Sequence, residues 1–124
     1  MRMLNVQADL RERLSEALDP VTVRTSVPAD RPEELAVVAW EGGGARLNRL
    51  LDEVGIGVSC WAGTEQRAFE IASLVDEAMA SLPFAGGYAL VEREAMYSDF
   101  DLKVRSPRWY LSYTLRTFEP STQQ

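Results

Sequence analysis

Chemistry in a protein needs a nucleophile, a proton carrier or a metal in the right place, and this chain is short of all three. It has no histidine and a single cysteine, Cys60. Without histidine there is no Ser-His or Cys-His pair, and one cysteine cannot build a cysteine-rich zinc site or an internal disulfide. Carboxylates in pairs are the remaining route, one as acid and one as base. The pairs are Glu33/Glu34, Asp52/Glu53, Glu92/Glu94 and Asp99/Asp101. Glu92 and Glu94 are expected to share one face of a strand, which is also how a solvated strand edge reads. The expectation is a protein with no catalytic residues, no cofactor and no metal.

Other motifs have ordinary readings. Gly42-Gly43-Gly44 lacks both the GxxxxGK[ST] and the GxGxxG spacing, so a flexible hairpin connection is expected rather than a phosphate cradle. Asp99, Asp101 and Lys103 imitate the start of a calcium loop, but its central glycine and distal glutamate are missing. Cys60 beside Trp61 reads as a small buried residue in a strand. Trp109, Tyr110, Tyr113 and Phe118 offer rings for nucleobase stacking; a packed sheet face explains them equally well.

Charge argues against nucleic acid. Thirteen basic residues face nineteen acidic ones, a net charge of −6. Residues 1–63 carry 7 positive and 10 negative charges, residues 64–124 carry 6 and 9, so neither half is basic. Phosphate-backbone binding needs clustered Lys and Arg. Lys103 is the only lysine, and arginine suits planar contacts at protein interfaces. At 124 residues, with 46% hydrophobic and 26% charged residues, one globular domain is expected and disorder is not. The start lacks a signal-peptide apolar core, and no apolar run approaches the ~18 residues of a membrane span. A cytoplasm-like compartment is therefore expected.

The elements follow from periodicity. Met3, Val6, Leu10, Leu14, Ala17 and Leu18 recur at helical steps and predict a helix over Leu4–Leu18, ended by Asp19-Pro20. Val21 to Val27 alternates as a half-buried strand. Leu35 to Trp40 is apolar on both faces, as in a covered central strand. Ala45 to Val54 fits a short helix or a long polar loop. Gly55 to Trp61 predicts a strand with Ile56, Val58 and Cys60 facing one way. Thr64 caps a second helix over Glu65–Leu82, closed by Pro83. Strands over Tyr88–Tyr97 and Trp109–Phe118 complete the order α-β-β-β-α-β-β. The fold class is α+β: a mostly antiparallel sheet of about five strands with two helices packed on it, residues 1–118 as one domain and 119–124 as a flexible tail.

Two segments exceed what a small core requires, the loops expected at Glu41–Val54 and Ser98–Arg108. Long loops in a small domain are usually functional or disordered. The first carries Arg46, Asn48, Arg49 and Asp52; the second carries Asp99, Asp101, Lys103, Arg105 and Arg108. Mixed charges of this kind line interface rims. The sheet's edge strands must also be paired or protected, and a ring of subunits is one solution.

The succession Val21-Thr22-Val23-Arg24-Thr25, Val27-Pro28, Glu41-Gly42-Gly43, Arg46/Asn48/Arg49/Asp52, Val58-Ser59-Cys60-Trp61-Ala62, Thr64/Ala68 and Ser106-Pro107-Arg108-Trp109-Tyr110 resembles the tail terminator (tail completion) proteins of long-tailed phages and prophages, over about Leu4–Phe118. That resemblance rests on order and spacing. It implies a structural virion protein, a homo-oligomer forming a hexameric ring at the head-proximal end of the tail, assembled in the host cytoplasm without a cofactor. The ring ends tube polymerisation, with the major tail tube protein on one side and the head-tail connector on the other. DNA only passes through the lumen, with no specific nucleic-acid binding and no membrane. Arg46, Asn48, Arg49, Asp52 and the stretch around Arg108 become expected subunit or tube contacts. Another head-tail joining or neck protein, and a non-phage cytoplasmic interaction module, are the alternatives.

Overall fold

A computed structural model describes residues 5–46 and 51–118. The first helix, α1, spans Val6–Leu18. Asn5 starts it, its side chain accepting from the Ala8 N–H at 3.1 Å, which satisfies one of the donors a helix start leaves open. Val6, Leu10, Leu14 and Leu18 form its buried stripe.

Five strands make one sheet in the order β1-β2-β3-β5-β4. They are β1 (Thr22–Arg24), β2 (Leu35–Arg46), β3 (Leu51–Trp61), β4 (Tyr88–Asp101) and β5 (Ser106–Phe118). All neighbours are antiparallel except β1 and β2, which run parallel. The α+β class and the order of the main elements agree with the sequence reading. The first strand is three residues rather than seven, and its direction is the opposite of that expected from a short link. The link between β1 and β2 is not short: it runs from residue 25 to 34 and contains Pro28 and Pro32. Proline has no N–H for a ladder, and over this link the chain leaves the sheet and returns to begin β2 in the same direction. Where β1 stops, Gln7 of α1 takes over: its Nε2 donates to the Val38 carbonyl at 2.9 Å.

The second helix, α2, spans Glu65–Ala80, and a short α3 follows at Leu82–Ala85. Thr64 caps α2 as expected, accepting from the Arg67 N–H at 3.1 Å. The helix ends two residues early, at Ser81, whose N–H reaches the Ala78 and Met79 carbonyls. Pro83 sits in the first turn of α3, where its missing N–H costs nothing.

The core lies between the sheet and both helices. Ala36, Val38, Ile56, Val58, Cys60, Leu111 and Leu115 meet Leu10, Leu14, Ile71, Ala72, Val75 and Met79. Strand β2 is two-faced, as its pattern predicts: Leu35 and Val37 point to the other side and join Trp61 in a small second cluster. Two tyrosines tie the layers together. Tyr88 Oη donates to Asp9 Oδ2 at 2.5 Å, and Tyr113 Oη donates to Asp76 Oδ1 at 2.7 Å. Arg13 and Arg93 hold the same carboxylates. Burial and the adjacent carboxylate push both phenol groups well above their ordinary range.

The two expected loops are corrected. Strand β2 continues through Gly42-Gly43-Gly44 to Arg46, with register shifts between Trp40 and Ala45, and Arg46 stands opposite Asp52. The glycines make bulges, not a break; Gly42 has φ +115°, open to glycine at no steric cost. The second loop is likewise the end of a hairpin, with Asp101 opposite Ser106 and only residues 102–105 as its turn. Asn48, Arg49 and the tail expected at 119–124 lie outside the described residues. Among the described residues no helix is long and apolar enough to cross a membrane.

Candidate functional site

The β4–β5 hairpin gathers five of the expected interface residues and divides their roles. Asp99 and Arg108 face each other across the strands. The guanidinium donates twice to the carboxylate, from Nε at 2.8 Å and from a terminal nitrogen at 2.6 Å. This two-point contact is the strongest form of a surface ion pair. Arg108 holds the Asp99 carboxyl below its usual range. Burial raises the Asp101 carboxyl, but the Trp61 N–H, the backbone N–H groups of Lys103 and Val104, and Arg108 together bring it below that range. Trp61 Nε1 donates to Asp101 Oδ2 at 3.0 Å, and the Lys103 N–H donates to its other oxygen at 3.0 Å. Arg31 stacks on the Trp61 ring at 4.5 Å from its centre. Asp99, Asp101 and Arg108 are thus engaged in building the hairpin.

Its root is also fastened. Ser106 Oγ donates to the Ala62 carbonyl at 3.0 Å, and the Ala62 N–H reaches the Pro107 carbonyl. Beyond that root Lys103 and Arg105 are exposed, and neither forms an ion pair with a described residue. Beside them are Phe100, Leu102 and Val104, of which Leu102 is 80% exposed. From sequence this stretch reads as a polar loop, and its three apolar members are not among the expected contacts. Phe100 lies in β4 and Leu102 and Val104 in the turn, so all three fall at the exposed end of the hairpin.

The other hairpin arm, β2–β3, places Arg46 opposite Asp52 in backbone register at its far end. It lies at the opposite end of the sheet from the β4–β5 tip, because β3 runs antiparallel to β5 and Leu51 faces Phe118. Both long outer edges carry irregularities. Strand β1 covers only Leu35–Val37 of β2, and β2 is bulged between Trp40 and Ala45. Strand β4 is bulged between Tyr88 and Leu90 and between Arg93 and Ala95, which accounts for the loose alternation of its sequence. Glu92 and Glu94 straddle the second bulge and are exposed, so the strand does not present them as a regular same-face pair.

The remaining candidates separate. Glu34 receives two bonds from Arg67, at 2.7 and 3.1 Å, which tie the β1–β2 link to α2. Glu53 meets Arg116 at 3.4 Å. The four aromatic rings do not form one platform. Tyr113 is buried against the helix layer, and Trp109 packs edge-on to Phe69 at 5.0 Å. Tyr110 stands on the opposite face beside Tyr97, its hydroxyl donating to Glu41. The Glu41 side chain crosses Gly57 to make that bond, at the place where a Cβ on Gly57 would sit. Burial and Glu41 push the Tyr110 hydroxyl up to about 12. Cys60 is fully buried, and burial pushes its thiol up to about 12, far from a reactive thiolate.

The candidate surface is a fastened hairpin with an apolar and basic tip at one end of the sheet, with a second hairpin arm at the other. No protein-family model matches the sequence, and no curated protein matches it.

Proposed function

We propose that this chain is a non-catalytic structural subunit that joins copies of itself into a ring at the head-proximal end of a phage tail tube. There it ends tube polymerisation and meets the head-tail connector. The observation that carries the reading is the β4–β5 tip, where Phe100, Leu102 and Val104 stand exposed outside the core. Apolar side chains grouped at the surface mark a contact with another protein. Two arms at opposite ends of one sheet suit a subunit with different neighbours on its two sides. A net charge of −6 suits a lumen through which DNA slides without sticking.

Electron microscopy of particles produced without this gene tests the reading. Tails of uncontrolled length, or finished tails unattached to heads, are expected. Normal tails joined to heads would overturn it. If tails have their normal length but no heads, the chain is a neck protein rather than a terminator.

A further inference from the structure

We infer that the β4–β5 tip is one half of a head-to-tail contact between two copies of this chain, whose other half is the outer surface of α2 and α3. The tip combines Phe100, Leu102 and Val104, exposed by 52, 80 and 39%, with Lys103 and Arg105. Its nearest acids, Asp99 and Asp101, are already held by Arg108 and by Trp61. The tip is apolar and basic in a chain that is otherwise acidic.

The outer surface of α2 and α3 is its complement. Leu74 is 40% and Phe84 is 91% exposed. Helix α2 carries Glu65, Glu70, Asp76 and Glu77 against Arg67, and α3 carries no charge; Arg67 pairs with Glu70 and Arg93 of β4 with Asp76, which leaves Glu65 and Glu77 without a described ion-pair partner. Glu70, Leu74 and Glu77 recur at four- and three-residue steps and so share one helix face. Glu77 is exposed and has no described ion-pair partner.

The tip cannot reach Phe84 within one chain. The tip is fastened beside Ala62, just before α2 begins, whereas Phe84 lies beyond the end of α2. The 14 residues of β4 run between them, roughly 45 Å of strand. Pairing between strand edges is disfavoured, since bulges interrupt both long edges and bulged edges resist pairing. Two different surfaces joined head to tail make a ring when the rotation closes and a filament when it does not. For closure the inference rests on the ring reading; the contact itself rests on charge and exposure.

The test mixes two single variants, Leu102→Cys and Ser81→Cys, both at exposed positions, and adds a short bismaleimide at millimolar protein. The buried Cys60 stays unmodified. A heterodimer linked 102 to 81 is expected to dominate over 102–102 and 81–81 products. Lys103→Glu with Arg105→Glu should cut that product about tenfold, the sum of two exposed pairs. Phe84→Ser, at a residue outside the core, should cut it by a similar factor. Equal yields of the three products, a dominant 102–102 product, or none at all would overturn the inference. So would tip-dependent sedimentation with phosphatidylserine vesicles in place of the cross-link, which would assign the tip to a membrane. The ring reading fails separately, through normal tails in particles lacking the gene.

Discussion

Removing the Asp101 carboxylate tests how the hairpin tip is held. Asp101→Ala removes the bonds from Trp61 Nε1 at 3.0 Å and from the Lys103 N–H at 3.0 Å. A hydrogen bond to a charged acceptor contributes about 1.5–3 kcal/mol, and solvent access at this site halves that figure to about 1 kcal/mol for each. The sum of about 2 kcal/mol corresponds to roughly a thirtyfold change in the opening equilibrium. The Asp99–Arg108 pair and the Ala62–Pro107 contact remain, so the arm loosens without detaching. Amide hydrogen exchange reads this directly. Amides of residues 98–101 and 106–109 should exchange about thirtyfold faster, while those of α1 and α2 stay within about threefold. Asp101→Asn keeps an acceptor oxygen and should recover most of the protection. Unchanged exchange in the arm, or equal acceleration across all elements, would refute the reasoning.

Tyr113→Phe removes the hydroxyl that ties β5 to α2. Asp76 keeps Arg93 at 3.1 Å, so the loss should be about 1.5 kcal/mol, visible as a fall in Tm of about 5 °C. Leu10→Ala empties a fully buried position in α1 and should cost 2–5 kcal/mol, measured as a lower urea midpoint at unchanged slope. Glu34, Asp99 and Asp101 have carboxyls lowered in the folded state. Their contribution is present above the unfolded values near ~4 and is lost as pH falls through the lower folded values. Urea melts should show this contribution constant from about pH 5 upward and declining below about pH 4, with a shallower decline in Arg108→Ala, where the Asp99 carboxyl returns to an ordinary value.

Both helices were legible because their apolar residues recur at three- and four-residue steps and their ends carry Thr64 and Asp19-Pro20. Strand β5 was legible because Leu111, Tyr113 and Leu115 alternate with polar neighbours. The strands around Gly42-Gly43-Gly44 were not. Glycine has low strand propensity, and a bulge becomes identifiable only when a partner strand shows which residue is extra. The end of the β4–β5 hairpin was missed for a related reason. Its charged residues resemble a loop until Asp99 meets Arg108 across the ladder and Asp101 meets Trp61, 40 residues away in sequence.

Asp99, Asp101, Lys103, Arg105 and Arg108 look equivalent as a charged run. Tertiary contacts split them into three that hold the hairpin and two that face outward, because a charge is available to a partner only after its own fold has left it unmatched. The lack of histidine, the lone cysteine and the net negative charge are composition, and no folding can alter the chemistry they withhold. The amphipathic helices and the alternating strands follow from local periodicity. The parallel placement of β1, the bulged edges and the separation of the tip from Phe84 depend on which distant segments pair, and pairing across tens of residues leaves no mark in any one of them alone.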